Sequence, residues 1–79
     1  MQAETKRDVG GFVRRLSHCV SVRDDEDLFQ SGLINSLLAL QLVLFVEHRF
    51  HVSVEGTDLE LSNFCSIDAI TEFVERKRR

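Results

Sequence analysis

Apolar residues recur with helical spacing in three stretches of the chain, and a fourth, shorter stretch is irregular. Val9, Phe12, Val13, Leu16 and Val20 return at steps of three and four. That places them on one face of a helix over about 6–19, with Arg14, Arg15 and Ser17 elsewhere. Met1 to Thr5 carry little apolar content and are expected to fray. Gly10 and Gly11 fall inside this helix, and each costs up to ~1 kcal/mol against alanine, so its start can slip past them. The densest pattern runs from Leu37 to Val46, interrupted only by Gln41, and predicts a second helix over about 36–50. At 100° per residue, Ala39, Leu42, Val43, Val46 and Phe50 gather on one face, opposite Gln41, Glu47, His48 and His51. Leu37, Leu40 and Leu44 fall on the polar side and form a second apolar stripe. A helix apolar nearly all round is either covered by neighbours or offers an interface, and a chain this short has little mass left to cover it.

The remaining stretches complete an all-α outline. Ser21 to Ser31 is a long connection containing Arg23-Asp24-Asp25-Glu26-Asp27, an acidic run without periodicity that reads as a solvated loop. Leu28 and Phe29 return to apolar character and are expected to anchor that loop to the core. Val52-Ser53-Val54 alternates but is too short to build a sheet. Gly56-Thr57-Asp58 breaks it, Leu59 and Leu61 suggest one short helix over about 57–62, and Ser62-Asn63 marks a stop. Ser66 then caps a last helix over about 66–77, with Ile67, Ile70, Phe73 and Val74 on one face and Asp68, Glu72, Glu75 and Arg76 pointing outward. The expectation is one domain over 1–79, a small antiparallel four-helix bundle with three main helices and one short third helix.

Composition narrows the function classes. With 79 residues, no Pro, Trp or Tyr and only four Gly, the chain lacks the turn punctuation of an all-β protein. A net charge of −3 argues against nucleic acid as a partner, and the cluster Arg76-Lys77-Arg78-Arg79 reads as solvated cations complementing a helix C-terminus. No signal peptide is evident and the apolar run is too short to span a bilayer, so the expected setting is a reducing cytoplasm with no membrane contact and Cys19 and Cys65 as free thiols. His18, Cys19, His48, His51 and Cys65 match no standard zinc spacing, so no metal is expected.

Ser36 concentrates the chemistry. It follows a loop ending in Gly32, and Asn35 or Ser36 can cap the second helix through a side-chain oxygen. The first-turn amides and the positive end of the helix dipole would favour a phosphate on the Ser36 hydroxyl; the plainer reading is a capping serine. Leu28-Phe29, Gly32-Leu33-Ile34-Asn35-Ser36-Leu37, Leu42-Val43, Glu47, Phe50, Asn63-Phe64, Ser66-Ile67 and Ile70 resemble the acyl carrier protein family in order and spacing, from about Val9 to Val74.

The resemblance implies that Ser36 receives 4′-phosphopantetheine and that the arm's thiol tethers acyl intermediates as thioesters. It implies as partners a phosphopantetheinyl transferase and the acyl-loading, acyl-transfer or synthase enzymes of a pathway, served by a monomeric, non-catalytic carrier. It also implies a short third helix whose movement helps admit cargo. Asn35 stands where the family has aspartate, whose charge helps the transferase engage. A natural variant, an engineered change and a carrier-like fold without an arm all remain open. Leu37, Leu40 and Leu44, with Gln41 and Glu47, are expected to form the landing surface for partners, with Leu33 and Ile34 approaching from the loop. Family carriers of fatty-acid synthesis use several acids along this helix, whereas here Glu47 is the only one. That favours a dedicated polyketide or mixed polyketide–peptide pathway, that is, antibiotic-type secondary metabolism. The alternatives are an aminoacyl, peptidyl or D-alanyl carrier, or a cofactor-free helical interaction module using the leucine stripe. No enzyme is expected: of His18, His48 and His51, His48 lies more than three turns along the helix from Ser36 and cannot be its base, and no Gly-rich strand-to-helix turn surrounds Ser36.

Overall fold

The computed structural model describes residues 2–78; Met1, of the stretch expected to fray, and Arg79, of the basic cluster, lie outside the described residues. Helix α1 (Gln2–Ser17) starts earlier than its apolar spacing indicates. Thr5 is buried and donates its hydroxyl to Glu75 Oε2 at 2.7 Å, while Lys6 Nζ lies 2.8 Å from Asp68 Oδ1. The first turn is therefore tied to the last helix rather than frayed. The helix also runs through both glycines. A Cβ on Gly10 would come within 2.7 Å of the Arg14 guanidinium, which donates to Val22 O at 2.8 Å. Gly10 thus leaves room for Arg14 to lie along the helix and hold the following loop. At the other end His18 takes a left-handed φ of 56°, which turns the chain off the helix axis. Val20 accordingly leaves the expected face and is 88 % exposed, and Val22 enters the core instead.

Helix α2 (Ser36–Phe50) has the predicted bounds. Leu42 and Val46 are fully buried, and Ala39, Val43 and Phe50 pack half-buried around them. Phe12 stacks on Phe45 at 4.1 Å between ring centres, and Arg49 bonds Asp8 at 2.9 Å. Since 8 meets 49 and 12 meets 45, α1 and α2 run antiparallel.

The expected short helix over 57–62 is two pieces: a 3-10 turn at Gly56–Asp58 and a one-turn α3 at Leu61–Phe64. The reciprocal bonds between Glu55 and Asp58 close the first piece on itself. Ser62 and Asn63 continue α3 rather than stop it, because Phe64 is buried against Phe73 and draws the turn inward. Helix α4 (Ile67–Lys77) is capped by Ser66, whose hydroxyl accepts from Ala69 N–H at 3.0 Å. Its predicted apolar face, Ile67, Ile70, Phe73 and Val74, is buried throughout. Asp68 and Glu75 point towards Lys6 and Thr5 of α1, and so belong to the packing rather than to the open surface.

The acidic loop is less free than its composition suggests. Asp24 faces Lys6 and Arg14 at 3.9 and 3.5 Å and its carbonyl accepts from Asp68 N–H. Leu28 is fully buried and donates its N–H to Cys65 O at 2.7 Å, which anchors the loop as expected. Among the described residues there are four α-helices and no strand, and no buried side-chain polar atom lacks a hydrogen-bond partner. The fold is a small helical bundle, with α1 packed closely on α4 and α2 lying antiparallel along α1.

Candidate functional site

The start of α2 is built by the loop before it. Asp27 accepts from the N–H groups of Phe29 and Gln30, Gly32 takes a left-handed φ of 78°, and Ile34 N–H bonds Leu28 O at 3.0 Å. Ile34 is 3 % exposed, so it is a core residue and not the surface contact expected of it. Its burial next to the buried Leu28 fixes where the helix begins. Leu33 is half-buried.

Asn35 is the cap. Its backbone is extended, and its Oδ1 accepts from Leu38 N–H at 3.0 Å while its carbonyl accepts from Ala39 N–H at 2.9 Å. Ser36 is consequently the first helical residue, exposed, and its hydroxyl makes no hydrogen bond among the described residues. The amides of Ser36 and Leu37 precede the first intrahelical bond and are open to an acceptor from outside.

Beyond Ser36, Leu37, Leu40 and Leu44 stand 68 %, 58 % and 61 % exposed. Gln41 is exposed beside them. Glu47 sits half-buried, with its Oε2 accepting from Val54 N–H at 2.8 Å. The one acid on the helix is therefore engaged in holding the chain after α2. Around the stripe, the exposed polar residues are Gln41 and His48.

Ser36 also shares the lining of an open apolar cleft of about 220 Å³ between α2 and the segment 59–64. Ala39, Leu40 and Val43 face Leu59, Leu61 and Phe64 across it, with Phe29 contributing from the loop. Sequence reasoning did not assign this cleft. The available signal was Leu59 and Leu61, two leucines bracketing Glu60 in a polar stretch, which are now 58 % and 68 % exposed. Among the described residues no three His, Cys, Asp or Glu side chains are placed to hold a metal ion. No described helix is long and apolar enough to cross a membrane.

Residues 11–74 match the family described as a phosphopantetheine attachment site. The chain belongs to that family. It is also similar to a D-alanyl carrier protein of Streptococcus uberis, with 28 % identity over 67 residues that span 85 % of each chain. It is therefore a carrier and not an enzyme, and the cofactor of its domain is covalently attached 4′-phosphopantetheine. Carriers of this kind engage a phosphopantetheinyl transferase and the enzymes of their pathway.

The site fits that cofactor. Among the described residues the exposed Ser36 hydroxyl and the first-turn amides of Ser36 and Leu37 have no partner, and with the adjacent apolar cleft they could supply an attachment atom, donors for a phosphodiester and a surface for an aliphatic arm.

Proposed function

We propose that Ser36 carries the phosphopantetheine arm and that the protein holds acyl intermediates as thioesters on it. The observation that carries this reading is the division of labour at the helix start: Asn35 caps α2, which leaves the exposed Ser36 hydroxyl free beside the apolar cleft. Attachment joins Ser36 Oγ to the phosphate of the arm donated by coenzyme A, with loss of the hydroxyl proton and release of the nucleotide. The bound arm supplies a thiol for cargo. Everything else is the work of the chain: α2 fixes the position of Ser36, its first-turn amides favour the phosphodiester, and Leu33, Leu37, Leu40, Gln41 and Leu44 offer a weakly binding, apolar landing surface. With Glu47 engaged by Val54 N–H, charge adds little to that surface.

The lining of the cleft supports an apolar acyl cargo, as expected in a polyketide or related secondary-metabolite pathway. D-alanine is a second cargo, favoured by the carrier from Streptococcus uberis. Glu60 is the one acidic residue among those lining the cleft and is the candidate partner for its ammonium.

Intact-protein mass spectrometry after incubation with coenzyme A and a broad-specificity transferase tests the attachment. One phosphopantetheine adduct on the native chain and none on Ser36→Ala is the expected result; no adduct on either would retire Ser36 as the attachment site. Offering the loaded protein D-alanine with ATP and a D-alanyl carrier ligase, and separately malonyl and medium-chain acyl donors with their transferases, then separates the two cargo classes by mass.

A further inference from the structure

The outer wall of the cleft is held differently from the rest of the fold. Phe64 anchors its end in the core, 3 % exposed and 5.3 Å from Phe73. Leu59 and Leu61, which face the cleft, are mostly exposed and contribute little burial to hold the wall in place. What fastens the middle of the segment is a closed polar circuit to the last turn of α4. Lys77 Nζ bonds Asp58 Oδ2 at 2.8 Å, and the same carboxylate oxygen accepts from Glu55 N–H at 3.0 Å. Asn63 Nδ2 donates to Asp58 O at 2.8 Å, and Arg76 donates to Asn63 Oδ1 at 3.1 Å. Arg76 lies over the Phe73 ring, 5.8 Å from its centre, which fixes its aim. The basic cluster that reads in sequence as solvated cations is thus, at Arg76 and Lys77, a fastening.

We propose that Lys77 and Arg76 are positioning residues that hold the 55–64 segment at the separation from α2 that covers the cargo. This rests on the reading of Ser36 as the attachment residue and adds to it the determinant of how well cargo is shielded. The bond to Asp58 raises the Lys77 pKa and, with the bond from Glu55 N–H, lowers that of Asp58, as expected of a pair that stays charged and engaged. Release of the circuit frees Leu59 and Leu61 to swing away while Phe64 and the core stay in place, so the cleft opens without unfolding the domain.

The test compares Lys77→Met, which keeps the stem and removes the charge, with Lys77→Arg, which keeps the charge. In the protein without its arm, amide exchange at 59–63 is expected to quicken in Lys77→Met by about threefold or more relative to α1 and α4, and to stay near native in Lys77→Arg. In protein loaded with an octanoyl thioester, hydrolysis is expected to quicken in the same variant and to be restored in Lys77→Arg. Unchanged exchange at 59–63 overturns the fastening. Faster exchange with unchanged hydrolysis overturns its role in shielding cargo. An absent phosphopantetheine adduct on the native chain defeats the attachment reading and the shielding with it, and the exchange comparison still decides whether Lys77 holds the wall.

Discussion

The α1–α4 side of the bundle and the cleft between α2 and the 55–64 segment solve the same problem in opposite ways. On the first side Val9, Val13, Ile67, Ile70 and Val74 are fully buried, and the polar pairs Thr5–Glu75 and Lys6–Asp68 only add to that contact. On the second, leucines face each other across open space and polar bonds to Asp58 and Asn63 keep the wall in place. Apolar burial is undirected and hard to undo locally, whereas a few directed bonds can open without disturbing the core. A carrier needs both: a rigid base for Ser36 and a surface that can take up and release cargo.

The largest effect lies on the buried side. Phe73→Ala removes a ring that is 1 % exposed and packs against Phe64, and is expected to cost about 3–5 kcal/mol. Against a total of roughly 5–15 kcal/mol for a domain, urea titration followed by circular dichroism should show a variant near the edge of folding. Leu61→Ala, on the cleft side, is expected to shift the midpoint hardly at all. Equal losses at the two positions would erase the contrast.

Asn35 comes next, because it caps the helix that presents Ser36 beside the cleft. Asn35→Ala removes the bond to Leu38 N–H and is expected to cost about 1 kcal/mol in the same titration and to slow transferase loading by loosening Ser36. Asn35→Asp keeps the capping oxygen and adds a negative charge at the helix N-terminus, so stability should hold or rise slightly while loading quickens. An unchanged loading rate would mean that charge at this position does not matter to the transferase.

Much of this was legible in the chain, and the misses share a cause. The bounds of α2, its buried Leu42 and Val46, its exposed leucines and the apolar face of α4 all follow from spacing, because each reports the burial of a regular helix face. Thr5 was missed because its partner is Glu75, and no local pattern couples residues so far apart in the chain. Val20 was misplaced because the left-handed His18 ends the helix without a glycine to announce it. The burial of Ile34 is not legible locally, because the loop's route into the core depends on the buried Leu28. The cleft escaped because its wall is a set of polar bonds to α4, formed only once α4 is in place.

Acid gives a smaller and more selective effect. Asp58 has a lowered pKa, chiefly through Lys77 and then Glu55 N–H, so its contribution is complete above the ordinary carboxylate value of 3.8 and is lost as pH falls through its lower, folded value. Lys77 has a raised pKa, so its contribution is complete below 10.5 and is lost as pH rises through its higher value. Arg76 and Glu55 are the other charges facing this pair. Lys6, raised by Asp68, follows Lys77 in sign on the buried side. Methyl signals of Leu59 and Leu61 should therefore hold steady from about pH 5 to 9 and move on acidification before those of Val9 and Ile70 do. Simultaneous movement would show that the wall has no separate hold.

The smallest expected effect on stability carries the most functional information. Leu40 lies on the exposed stripe and also lines the cleft, so it can serve partner and cargo with one side chain. Leu40→Ser removes apolar surface that is already mostly in water, and the free energy of unfolding should stay within about 0.5 kcal/mol of native. Loading of Ser36 should nevertheless weaken through a higher KM with kcat preserved, since the lost contact positions the carrier rather than the reacting atoms. Added salt should leave that KM nearly unchanged, because the surface offers a partner leucines and Gln41 while Glu47 is held by Val54 N–H. A KM that climbs steeply with salt would instead place the recognition on charges elsewhere, and the leucine stripe would then be explained by cargo alone.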